Sequence, residues 1–214
     1  MRLAELSERS GVPTATIKYY LREGLLEPGR QLNATTAEYD EEHLRRLRLV
    51  RAMIHVARVP VATVREVLGH VDDDSLGRTM RLGAALWALP QVPEPDAEDE
   101  HVLRARLEVD RLLKTVGWSN ARALVTISPA YRSLVVAVAT FRRLGYDWSP
   151  ELIASYARLM HQAAVLDLDF MDTHPSEAEK VETAVAGAIF VEPVLQALHR
   201  LAQEEESARR YGFE

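Results

Sequence analysis

Apolar residues recur at intervals of three and four along almost the whole chain, and no stretch alternates with period two for long enough to make a sheet. That pattern confines the fold to packed helices. The exception is Leu25 to Tyr39, where Pro28-Gly29 and Asn33 stand between β-capable residues and predict one small hairpin. At 214 residues, 47% of them hydrophobic, the chain has enough apolar surface to bury one or two cores.

Several chemistries are excluded at once. With no Cys there is no disulfide scaffold, no thiolate zinc site and no cysteine nucleophile, so a metal would have only oxygen and imidazole ligands. No run of 18 apolar residues is present, and Met1-Arg2-Leu3-Ala4-Glu5 reads directly into an amphipathic helix rather than a signal peptide. A soluble cytoplasmic protein without a membrane partner is expected.

The net charge of -6 hides an asymmetry. Residues 1 to 71 carry 11 Lys and Arg against 9 Asp and Glu, whereas residues 72 to 214 carry 15 against 23. A phosphate-facing surface needs local positive potential rather than a basic total, so the first segment is compatible with nucleic acid while the second repels it.

In the first 30 residues, Leu3 and Leu6 lie one helical turn apart, Ser10-Gly11-Val12-Pro13 breaks the helix, and a second helix runs from about Thr14 to Glu23. Ile17, Tyr20 and Leu21 share its inner face, which leaves Thr14, Thr16, Lys18 and Tyr19 elsewhere. After the hairpin, Asp40 is placed to cap a helix reaching about Ala57, with Glu41 and Glu42 in its first turn and Arg45, Arg46, Arg48 and Arg51 on its polar side. Pro60 opens a short helix ending near Gly69.

Asp72-Asp73-Asp74-Ser75 is expected to cap a helix that ends at Leu89. Residues 90 to 100 hold three prolines and five acids and read as a solvated linker. Beyond them five or six amphipathic helices predict an all-α bundle. The expected division is residues 1–71, a connecting or dimerising helix with its linker over 72–100, and a helical effector or dimerisation domain over 101–214.

One run of motifs carries a family resemblance. Gly11-Val12-Pro13-Thr14-Ala15-Thr16-Ile17-Lys18-Tyr19-Tyr20, then Gly24-Leu25-Leu26, then Tyr39-Asp40-Glu41-Glu42-His43-Leu44-Arg45-Arg46-Leu47 resemble the winged helix-turn-helix of the MerR regulators over about 70 residues. The resemblance implies a homodimer on a palindromic promoter, a β wing gripping the backbone, and distortion of promoter DNA for RNA polymerase. The DNA-contact candidates are Thr14, Thr16, Lys18 and Tyr19 on the recognition helix, Arg30 and Tyr39 of the wing, and Arg45 and Arg46 beyond it. Lys18 stands where the family more often has Arg; a point charge suits phosphate better than bidentate guanine readout.

Two departures bear on this. The wing ends Thr36-Ala37-Glu38-Tyr39, with no arginine and with Glu38 near the place where the family's arginine reaches phosphate, and the helix before Pro90 is short for the family's long dimer helix, leaving Leu82, Leu86 and Leu89 as a brief seam. For a small organic effector the candidates are Trp118, Tyr131, Phe141, Trp148 and Tyr156. Asp167 to His174 lacks ligand spacing for a metal, no cofactor is implied, and no catalytic constellation is identifiable. The competing reading is a small-molecule sequestering protein whose DNA-binding unit has degenerated.

Overall fold

The computed structural model describes residues 1–33, 36–146 and 150–212. Among the described residues the regular structure is helical apart from one antiparallel hairpin, and the chain divides into two compact units, Met1–Leu89 with His174–Glu214, and Pro90–Thr173.

In the first unit α1 (Leu3–Ser10) and α2 (Thr14–Arg22) form the helix-turn-helix. Strands β1 (Arg30–Asn33) and β2 (Thr36–Glu38) follow, with Arg30 opposite Glu38 and Gln31 opposite Ala37. α3 (Glu41–Arg51) starts at Asp40, whose carboxylate accepts from His43 N at 3.1 Å, and it ends in a single π turn over Ala52–Val56. α4 (Val61–Val71) runs through Gly69 and ends two residues beyond it.

α5 (Arg78–Trp87) also begins later than expected, with Gly77 as its cap. The three aspartates are used otherwise. Asp73 accepts from Ser75 N at 3.0 Å, Asp72 pairs with Arg46, and Asp74 lies 2.8 Å from Arg81 Nη1. Arg81 is buried and its Nε donates to Val71 O, so the guanidinium satisfies a carbonyl that α4 leaves open at its C-terminus.

The largest difference from expectation is α10 (Glu177–Tyr211), which belongs to the first unit rather than to a bundle over 101–214. Val181 and Val185 are fully buried there in one core with Leu6, Ile17, Leu44, Leu47, Val64 and Ala85. Periodicity announces an amphipathic helix but not the partner its apolar face will choose. α10 continues through Pro193, since a proline removes a single backbone donor and need not break a helix held by packing along its first turns.

The second unit comprises α6 (Glu100–Thr115), α7 (Ser119–Ala123), α8 (Pro129–Arg143) and α9 (Pro150–Asp172). Val102, Ala105, Val109, Val135 and Val138 form the core between α6 and α8, and Leu112, Ala154 and Ala157 continue it to α9. The extended segment before α6 is anchored rather than free: Glu94 pairs with Arg132 at 2.7 Å.

Candidate nucleic-acid interface

Gly11 turns the chain after α1 at φ 65°, a left-handed conformation that costs other residues roughly 1–2 kcal/mol. The bend is braced on both sides. Ser7 Oγ donates to Val12 O at 2.6 Å, and Arg51 Nη1 reaches across from α3 to donate to Ser10 O at 3.1 Å. Pro13 then sets the entry to α2 at φ -57°. Ile17 and Tyr20 drop into the core, which fixes the helix about its axis.

What remains outside is a polar face. Thr14, Lys18 and Tyr19 are exposed as expected, and Thr16 is half-buried. Arg22, not singled out in the sequence, is exposed too, and it completes a stripe Thr14-Lys18-Arg22 at steps of four, about 12 Å long. The spacing of four from Lys18 was the available signal. Neither Lys18 nor Arg22 makes an ion pair among the described residues, so two cations stand unneutralised on a helix with no acid in its first turn. Hydroxyls, a phenol and two cations on one helical face suit phosphate oxygens and base edges.

Other expected contacts are placed differently. Arg30 is exposed on the wing but paired with Glu38 across the strands, and this bond holds the Glu38 carboxyl below the ordinary range. Tyr39 requires a correction: only 6% exposed, it packs edge-on to His43 at 5.2 Å and donates its backbone N–H to Met1 O at 2.8 Å. Its ring is thus packed against α3 and its backbone is tied to the N-terminus, leaving little of it on the surface. Arg45 and Arg46 also need one. Arg45 is held by Glu179 at 2.7 Å and Glu182 at 3.1 Å, and Arg46 by Asp72 and by Glu182 at 2.7 Å. Glu179 and Glu182 come from α10, so nothing in the local sequence around the arginines announces these partners.

The aromatic candidates for an effector do not converge. Trp118 is half-buried against both parts of the second core, with its ring 6.2 Å from His161, while Phe141 and Tyr156 are exposed. Trp148 lies outside the described residues. Tyr131 is half-buried and lines a cavity beside Arg132; burial pushes its phenol up. Among the described residues no three His, Asp or Glu side chains are grouped as a metal ion requires.

Two helices about a glycine bend, a two-stranded wing and an outward cationic face are the geometry of a winged helix-turn-helix. Residues 1–70 match the family described as MerR HTH family regulatory protein. The chain belongs to the MerR family. Its likeness extends beyond that segment: a crystal structure of the "putative transcriptional regulator SCO5550 from Streptomyces coelicolor A3(2)" is 69% identical, with a TM-score of 0.85, over 100% of this chain and 99% of that one. No curated protein matches. As a MerR-family member the chain is a DNA-binding transcriptional regulator, with an all-α segment following the winged unit.

Proposed function

We propose that this regulator binds a palindromic promoter site as a homodimer, each α2 lying in a major groove, and that a small organic effector acting on residues 90–173 modulates it. The observation that carries the reading is the Thr14-Lys18-Arg22 stripe: two unpaired cations on a helix whose other face is locked into a core, in a chain of net charge -6. Tyr19 and Thr16 flank the stripe as hydrogen-bonding groups. Family membership supports promoter distortion and RNA polymerase as the beneficiary, in the cytoplasm where the DNA lies. Bending a 20 to 30 bp site costs on the order of 1–6 kcal/mol, within reach of several phosphate contacts.

A second copy is supported by α10. Leu86 of α5 and Leu89 just after it pack against their own core, which leaves only Leu82 of the expected seam outside it. Beyond Ile189, by contrast, α10 exposes Phe190, Val194, Leu198 and Leu201 on a stretch about 16 Å long. By length and composition alone this helix would also pass for a membrane span, with a mean hydropathy of 1.4 over 18 residues. The Glu204-Glu205-Glu206 run and Arg209-Arg210 close behind the stripe fit a helix pairing in water better. Footprinting on the promoter upstream of its own gene tests the proposal. Two protected half-sites related by a two-fold axis, about one helical turn apart, are expected; a single unpaired footprint, or none, contradicts it.

A further inference from the structure

The second unit holds a cavity of about 190 Å³ bounded by the extended segment before α6, by α6 and by the start of α8. Its chemistry is out of keeping with the acidic segment that surrounds it, because two guanidiniums, those of Arg106 and Arg132, line it together with the Tyr131 ring. Arg106 Nε is buried and has no hydrogen-bond acceptor among the described residues. A buried donor left without an acceptor costs roughly 1–3 kcal/mol, more for a charged group.

An acid is present, but it fits only half of this seat. Glu94 Oε2 lies 2.7 Å from Arg132 Nε, whereas Oε1 lies 4.0 Å from Arg106 Nη2, beyond hydrogen-bond reach. Glu94 is largely exposed and stands between Pro93 and Pro95 on a segment with no regular structure to hold its carboxylate. The other walls are mixed: Pro95, Val125 and Val135 are apolar, and Thr126 and Ser128 bring hydroxyls.

We infer that this cavity is a binding site for a small organic carboxylate, and that Glu94 competes with the ligand for the two arginines. A carboxylate is the anion that already sits on Arg132, and its two oxygens match the guanidinium fork. The valine and tyrosine walls call for an apolar tail that inorganic phosphate lacks. The space suits one ring or a short chain, since a cavity of about 150 Å³ accepts benzene. A ligand that displaces Glu94 releases the segment joining α5 to α6, which gives the effector of the proposed function a chemical class. The inference rests on that reading for its regulatory meaning only; the binding event does not require DNA.

Isothermal titration of the full chain with sodium benzoate and sodium phenylacetate tests it, with benzyl alcohol and inorganic phosphate as the other arms. A benzoate Kd of about 0.1–1 mM is expected for a ligand of this size, and benzyl alcohol binds at least about tenfold more weakly. Glu94→Gln removes the competitor and tightens benzoate about tenfold. Arg106→Gln weakens it about tenfold, with thermal melts showing that the variant is folded. If Arg106→Gln does not fold, the Glu94→Gln comparison carries the test. No heat from either carboxylate at roughly 10 mM, in wild type and Glu94→Gln alike, overturns the inference. So do phosphate binding more tightly than benzoate, and a folded Arg106→Gln with unchanged affinity. Each of these results leaves the DNA reading standing, because no DNA is in the cell.

Discussion

Arg46 Nε lies 2.7 Å from Glu182 Oε1, a buried ion pair that ties the helix after the wing to the C-terminal helix. Glu182 has only 6% of its side chain exposed and also accepts from Arg45, so one carboxylate joins two of the arginines that the local sequence offers to DNA, with Glu179 and Asp72 completing the charge balance. The C-terminal helix is thereby part of the DNA-binding unit.

Removing that carboxylate leaves two guanidiniums facing each other with less acid between them. Glu182→Ala is expected to lower the unfolding free energy by about 3–5 kcal/mol, the usual cost of breaking a buried pair by removing one partner. Urea denaturation checks this. A change below about 1 kcal/mol, the level of surface pairs, would show that the pair is solvated.

The wing is expected to gain grip when its acid is neutralised. Glu38→Gln frees Arg30, and the log-log salt dependence of DNA binding should steepen by about one unit as one more phosphate is contacted. Anisotropy titrations across a salt series read the slope directly. An unchanged slope would place the wing away from the backbone.

Gly29, just before the first strand, lies against the end of the second. A Cβ there would lie 2.6 Å from Glu38 O and 2.9 Å from the Tyr39 ring, closer than real contacts allow. Gly29→Ala should therefore weaken operator binding by displacing the hairpin while the recognition helix keeps its own core. Binding assays with a circular-dichroism control separate the two; wild-type affinity would mean the strands absorb the methyl.

Acid sensitivity should appear where α10 meets α5. The Arg78 guanidinium, bonded to Glu177 through Nε at 2.6 Å and helped by Lys180, brings the Glu177 carboxyl from the ordinary 4.5 down to about 2. Because the folded value is depressed, this stabilisation is complete above about pH 4.5 and lost as pH falls toward 2. A carboxyl NMR titration should find Glu177 near 2, and Arg78→Ala should return it toward its ordinary value.

The recognition helix is legible because its signals are local. Gly11 and Pro13 bound it, Ile17 and Tyr20 give its inner face, and the remaining positions follow from a period of 3.6. The roles of Tyr39, Arg45 and Arg46 are not legible, since each depends on a partner distant in sequence: Met1 for the tyrosine, Glu179 and Glu182 for the arginines. The same limit explains α10. An amphipathic helix states that it has an apolar face and leaves open which core receives it. Arg22 was within reach, four residues after Lys18 on the same stripe.

The central claim is that α2 meets a duplex through Lys18 and its neighbours, and the most direct measurement is the salt dependence of promoter binding with Lys18 present and absent. The expected result is a log-log slope of several units, about 0.9 per neutralised phosphate, that falls by about one in Lys18→Ala. A slope near zero, or one that Lys18→Ala leaves unchanged, would contradict the account.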